Sequence, residues 1–261
     1  MTTPTDPFAL SHIAEGDGLP VLLVHDLNAS LHDWEEIIPR LIVSGHRIYA
    51  CDLLAHGQSP HPEDPRMYYA QMLFATFRRW MDSLQLDLAP IMIGHGFGAY
   101  LCLRYAIGHP YKVNKLILLN PLFTPAQIDP TVMRFSHRER LADLASRFAH
   151  DWTTRKLLGL PKEIEPKLLS RIMRDYRNAS PYNVRIPSTV VDLSADMAKL
   201  PTRSLYIWGE TDPLLNMSLL QPLLEDVVDI VLSPIAGVGH RPHLEAPEET
   251  NKAIIDFLLG F

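Results

Sequence analysis

Cysteine is scarce in this chain: Cys51 and Cys102 are the only two among 261 residues. A disulfide framework is therefore not expected, and such usage suits a reducing cytoplasm. Basic charge is short as well. Twenty-four Lys and Arg stand against 30 Asp and Glu, a formal net charge of −6. No basic face dominates, so nucleic acid is not an expected partner. No apolar run approaches the ~18 residues of a membrane-spanning helix. The opening stretch Met1-Thr2-Thr3-Pro4-Thr5-Asp6-Pro7 lacks the basic and apolar regions of a signal peptide. A membrane partner is thus not expected either. Internal repeats and low-complexity tracts are missing. Proline is plentiful, 22 in all, and sits mostly at segment ends, where it punctuates.

What is present is an ordinary globular mix, 47% apolar and 21% charged. Short apolar runs alternate with longer amphipathic ones. Strands are expected at Pro20–His25, which is short, β-branched and apolar on both faces, and at His46–Asp52, Ala89–Ile93 and Val113–Leu119. Helices are expected at Trp34–Val43, Tyr68–Leu84 and Phe97–Ile107. In the second, Leu73, Phe77, Trp80, Met81 and Leu84 recur at three- and four-residue steps and form one apolar stripe. Strand, helix, strand, helix implies right-handed crossovers and a mainly parallel sheet covered on both faces. The alternation stops after Asn120. From Thr124 to about Met197 no strand pattern is seen, only helical stretches broken by prolines. The strand pattern resumes at Arg203–Trp208 and Asp229–Ser233, with helices near Ser218–Val227 and at Pro247–Leu259. The expected division is a core α/β domain in two parts, residues 1–123 and 198–261, with a helical insertion at 124–197.

Three loops at the C-terminal ends of strands carry suggestive chemistry, where open parallel sheets place their sites. They are Gly94-His95-Gly96-Phe97-Gly98, Gly209-Glu210-Thr211-Asp212-Pro213 and Gly239-His240-Arg241-Pro242-His243. With Leu23-Val24-His25 ahead of Asn28-Ala29-Ser30, and with Asp52-Leu53-Leu54-Ala55-His56-Gly57-Gln58-Ser59, the chain resembles the α/β-hydrolase superfamily over nearly its whole length. That resemblance implies an α/β-hydrolase fold, a mostly parallel twisted sheet with helices on both faces and a helical cap over the site. It implies a triad in the order nucleophile, acid, histidine. Asp212 would be the acid and His240 the general base. The backbone N–H groups of Leu27 and Phe97 would be the oxyanion donors. Relatives of this kind cleave small esters, amides or C–C bonds.

Two positions depart from the family pattern. Asp26 follows the first-loop histidine where glycine is common. More consequentially, Gly96 stands where the resemblance calls for serine. Glycine has no atom to attack a carbonyl, and it tolerates the positive φ of that turn. The fold should persist while the covalent acyl step is lost. His240 Nε2 and the two main-chain donors are expected to surround a gap left by the missing hydroxymethyl group.

Three readings of Gly96 stay open at this point: natural loss giving a ligand-binding scaffold, an engineered Ser→Gly change in an ordinary hydrolase, and an enzyme using His240–Asp212 as general base on water or substrate. A partner-binding module is a further class, for which no exposed apolar stripe is seen. Asp26 either braces its loop or acts as a nucleophile or base. His25, His95, His56 and Ser59 read as structural, Cys102 as a buried inert thiol, and Glu245 as a cap of the last helix or an ion-pair partner. His240 and His243 have metal-like spacing but no third ligand in register, so no metal is expected, and no cofactor. Met133, Phe135, Phe148, Trp152, Leu157, Met173, Tyr176 and Tyr182 in the insertion suggest a small apolar ligand. Arginines there, among them Arg134, Arg138, Arg140, Arg147, Arg171, Arg174 and Arg177, read as a solvated face. Nothing in the chain speaks to its oligomeric state.

Overall fold

Runs apolar on both faces can be buried only inside a covered sheet, and that is where these runs lie. A computed structural model describes residues 6–136, 155, 158–161, 163–197, 199–224, 227 and 229–260, with side chains described only to residue 134 in the first stretch. Phe135 (as a side chain), Arg138, Arg140, Arg147, Phe148, Trp152 and Leu157 therefore lie outside the described residues. The strands are β1 His12–Glu15, β2 Leu19–Val24, β3 His46–Cys51, β4 Ile91–His95, β5 Lys115–Leu119, β6 Ser204–Gly209 and β7 Ile230–Ile235. They form one seven-stranded sheet in the order β1-β3-β2-β4-β5-β6-β7. All neighbours are parallel except β1, which pairs antiparallel with β3 at the edge. The sheet is the mostly parallel one expected. The edge strand β1 was not foreseen, because four mostly exposed residues carry too short a pattern to read.

The helices are α1 Ile38–Val43, α2 Ala70–Ser83, α3 Phe97–Gly108, α4 Pro130–Ser136, α5 Pro166–Asn178, α6 Ser194–Met197, α7 Gln221–Leu224, α8 Pro242–Glu245 and α9 Pro247–Leu259. Two expected helices are shorter than their patterns. The stretch from Trp34 opens instead as a 3₁₀ turn, Leu31–Trp34, capped by the Ser30 side chain, and the α-helix starts only at Ile38. Pro39 explains the late start: it lacks an N–H and fits only the first turn. The stretch Ser218–Val227 is likewise split into a 3₁₀ turn, Met217–Leu219, and α7, with Pro222 in its first turn. Between β5 and β6 the described residues hold α4, α5, α6 and two 3₁₀ runs, Pro125–Gln127 and Pro181–Thr189, and no strand. Among the described residues no helix is long and apolar enough to cross a membrane.

Successive side chains on a strand point to opposite faces, so the sheet sorts its residues into two cores. Leu22, Val24, Met92, Leu116 and Leu118 join Phe77, Phe97 and Tyr100 on one face. Val21, Leu23, Ile91, Ile93, Ile117 and Leu119 join Trp34, Ile254 and Phe257 on the other. A third, smaller cluster puts Met173 and half-buried Tyr176 of α5 with Leu158 and Ile172 against Leu244 of α8. These two residues of the expected insertion thus pack with their own neighbours. Tyr182 stacks obliquely on Tyr68, ring centres 5.3 Å apart.

Strand order reverses at β2, whose neighbours are β3 on one side and β4 on the other. The chain leaving β2 and the chain leaving β4 therefore turn apart above the sheet, which opens a crevice between them. Close approach of α3 to the end of β2 needs Gly98. A Cβ there would collide with the carbonyl oxygens of Val24 and His25. Gly98→Ala should cost about 1–3 kcal/mol, as overpacking against fixed backbone does. Urea denaturation checks this; an unchanged midpoint would show that α3 has room to spare.

Candidate functional site

Four loops meet above the C-terminal ends of β2, β4, β6 and β7, and each delivers one group. After β2 comes His25-Asp26-Leu27. His25 is buried, and its Nε2 accepts from the Leu53 N–H at 2.9 Å. Its proton is therefore on Nδ1, which donates to the Asp26 carbonyl at 2.6 Å. His25 is thus a brace between two loops, as its sequence context suggests, and it fixes the backbone of Asp26.

Gly96 forms the junction between β4 and α3. Its φ of 53° and ψ of −113° make a sharp strand-to-helix turn in a region that L side chains rarely adopt. The expected gap above Gly96 does not exist. The Asp26 carboxylate fills it: a Cβ on Gly96 would overlap Asp26 Cγ and Oδ1 and lie 2.8 Å from Oδ2. Asp26 Oδ1 accepts from the Phe97 N–H at 2.6 Å. Asp26 Oδ2 lies 2.9 Å from His240 Nε2. The donor expected to stand open at Phe97 is therefore engaged, and His240 Nε2 faces a carboxylate rather than a space. No hydrogen-bonding signature in the sequence announces this, because residues 26, 97 and 240 meet only through the sheet.

Asp212 stands behind His240, with Oδ2 2.8 Å from Nδ1. Its other oxygen accepts the N–H groups of Leu214 and Leu215 at 2.8 and 3.1 Å. Asn120 is the residue that sequence reasoning missed. It leaves β5 with φ 39°, donates from Nδ2 to Asp212 Oδ2 at 2.6 Å, and accepts the Gly209 N–H at 3.1 Å. Its one available signal was its place at the end of a buried strand, where the alternation stops. Glu245 neither caps α9 nor pairs with a base. Its two oxygens accept the N–H groups of Gly239 and Arg241 at 2.8 and 2.9 Å and clamp the loop that carries His240.

His95 is fully buried, with Nε2 2.8 Å from the His240 carbonyl oxygen. It holds the backbone of His240. Leu27 is half-buried beside Asp26. His56 holds its own turn through the Leu54 carbonyl, and Ser59 Oγ donates to the Asp52 carbonyl at 2.6 Å. Burial pushes the Cys102 thiol well up, in keeping with an inert thiol. Of the insertion's arginines, Arg171 pairs with Glu35 at 2.9 Å, while Arg134, Arg174 and Arg177 are exposed. Tying this segment to the site loop, Ser30 Oγ donates to the buried Asp175 of α5 at 2.9 Å. His243 is not grouped with His240; the fold brings Asp33 and His95 to it instead.

The charges are ordered by this arrangement. Burial acts to lower the His240 pKa, but the charge and hydrogen bond of Asp212, joined by Asp26, outweigh it and raise it to about 9. Burial acts to raise Asp26, but the His240 hydrogen bond and charge, with His95 and the Phe97 N–H, hold it well below the carboxylate range. Asp212 is lowered in the same way against burial, by His240 and Asn120. At neutral pH the array is carboxylate, imidazolium, carboxylate.

The comparisons with known proteins agree with this fold. The family described as alpha/beta hydrolase fold matches residues 20–225. The chain belongs to the alpha/beta hydrolase fold family. Among curated relatives, the AB hydrolase superfamily protein YisY of Bacillus subtilis is 27% identical over 255 residues, covering 93% of this chain and 92% of that protein. The Arabidopsis thaliana alpha/beta hydrolase domain-containing protein VTE7 is 23% identical over 255 residues, covering 94% of this chain and 75% of its own length. A thermophilic esterase from Thermogutta terrifontis superposes with a TM-score of 0.80 at 20% identity, over 96% of this chain and 93% of that one. At that identity the likeness is one of fold.

Because folding raises the His240 pKa above its ordinary 6.5, the stability it contributes is complete below that value and is lost as pH rises through about 9. Unfolding free energy should therefore fall between pH 6.5 and 9, and His240→Gln should flatten that decline. Equal slopes in the two proteins would remove the imidazolium from this account. By NMR, Asp26→Asn should move the His240 titration midpoint downward.

Proposed function

We propose that this chain is a hydrolase-fold scaffold without serine-type acyl transfer, which holds a small apolar ligand under residues 124–197 acting as a helical cap. The observation that carries the reading is the Asp26 carboxylate bridging His240 Nε2 and the Phe97 N–H. Acyl transfer needs an attacking atom, a free base nitrogen and open oxyanion donors. Gly96 removes the first. Asp26 engages the second and part of the third, standing as an internal anion where the oxyanion of a substrate would develop. The fold shared with the Thermogutta terrifontis esterase supports a small-molecule ligand. A cytoplasmic location belongs to the same proposal and rests on the scarce cysteine.

An engineered Ser→Gly change in an otherwise ordinary hydrolase fits less well. A serine at 96 and Asp26 in its present place exclude each other sterically, so the two positions go together. A second reading has one observation in its favour: His240 and Asp212 are held at 2.8 Å with Asn120 bracing the acid. In that reading a bound ligand moves the Asp26 carboxylate off Nε2, and His240 then serves as general base without a covalent intermediate.

A set of variants assayed on small aryl and alkyl esters separates these readings. The unaltered chain and Gly96→Ser should both show background turnover. The double variant Asp26→Gly with Gly96→Ser should gain ~10²-fold or more, the scale of a general-base contribution, and lose it on adding His240→Ala. Gly96→Ser alone matching the double variant would show that Asp26 does not obstruct the site. Turnover by the unaltered chain that vanishes in His240→Ala would favour the second reading instead.

A further inference from the structure

We propose that Asp33, His95 and His243 form a site for a divalent transition-metal ion of the zinc type, beside the reactive site and distinct from it. The three side chains come from three separate segments: the 3₁₀ turn Leu31–Trp34, the last residue of β4, and α8. One ligand atom from each lies within 4.8 Å of the other two. Exposures are 4%, 0% and 3%, so bulk water does not satisfy these groups.

Their polar atoms are left over once every other bond is made. Asp33 Oδ2, His95 Nδ1 and both ring nitrogens of His243 have no hydrogen-bond partner among the described residues. His243 Nε2 stands 3.7 Å from Asp33 Oδ2, beyond hydrogen-bond reach. Buried polar groups without partners are costly, and a fold that gathers several of them into one place calls for something to satisfy them together. His95 is already set as a ligand. Its Nε2–H donates to the His240 carbonyl at 2.8 Å, which leaves the lone pair on Nδ1. Histidine ligands are oriented in that way, by a carbonyl or carboxylate on the far nitrogen. The His243 ring is fixed too, stacked on Trp34 at 5.0 Å and met edge-on by His95 at 4.6 Å.

A second trio, Asp26, His95 and His240, is as tightly grouped. It is closed to a cation, however. Both Asp26 oxygens and both His240 nitrogens already have partners. Two imidazole nitrogens and one carboxylate oxygen are a donor set for zinc or cobalt(II), with a fourth position for water. Bonds of ~2.1 Å in a tetrahedron place donors ~3.4 Å apart, so side-chain adjustments of about an ångström close the site. Such an ion would tie together the loops that carry Asp26, Gly96 and His240.

The test uses the full chain, stripped by chelator and titrated with Zn²⁺ by calorimetry and with Co²⁺ by visible absorption. One ion per chain is expected, with a tetrahedral cobalt spectrum. Asp33→Asn and His243→Gln should each weaken binding by more than the ~10–100-fold that loss of an outer-shell partner costs. Asp26→Asn and His240→Gln should retain it. No binding, binding kept in both Asp33→Asn and His243→Gln, or binding lost in His240→Gln but kept in His243→Gln overturns the proposal. Should either ligand variant fail to fold, ring-nitrogen NMR of the unaltered chain decides: Zn²⁺ should shift His95 and His243 and spare His25 and His56, and unmoved His95 and His243 signals overturn it. The ester assays above are independent of this outcome.

Discussion

A single carboxylate organises this site. Asp26 reaches across from the β2 loop to the N-terminus of α3 and to the imidazole of His240, so three loops converge on its two oxygens. A buried carboxylate is tolerated only if hydrogen-bonded and charge-compensated. Here a main-chain N–H and an imidazolium do both. The arrangement depends in turn on Gly96, because any larger residue at that turn would take the space that the carboxylate occupies. Gly96 and Asp26 are one structural decision written at two places in the chain.

The rest of the site follows from keeping that ion pair rigid. Asn120 holds Asp212, Glu245 holds the two peptide N–H groups flanking His240, and His25 holds the Asp26 carbonyl. The Asn120 brace crosses from the end of β5 to that of β6, and His25 Nε2 ties the end of β2 to Leu53 beyond β3, while the Glu245 clamp stays within the loop after β7. In a hydrolase this scaffold would present a base, a nucleophile and an oxyanion pocket to a substrate. In this chain Gly96 supplies no nucleophile, and the imidazole of His240 and the Phe97 N–H both face Asp26.

Much of this was written in the one-dimensional pattern. Strand and helix order, the mainly parallel sheet and the buried Cys102 thiol follow from local pattern, and the pairing of His240 with Asp212 from the resemblance to the α/β-hydrolase superfamily. Boundaries shifted where proline dictated them, at Pro39 and Pro222, and the edge strand β1 was too short to signal itself. Gly96 was legible as a missing nucleophile.

What filled its place was not, since the sequence identifies residue types and local turns and is silent on which side chains converge. Asp26 read equally well as a loop brace, and Glu245 as a helix cap. Asn120 and Asp33 read as nothing in particular. The tertiary structure decided all four, because contacts between residues 26, 97 and 240, or 33, 95 and 243, exist only once the reversal of strand order at β2 brings separate loops to one edge of the sheet. Local chemistry specifies what each group can do, and the sheet specifies what it is next to.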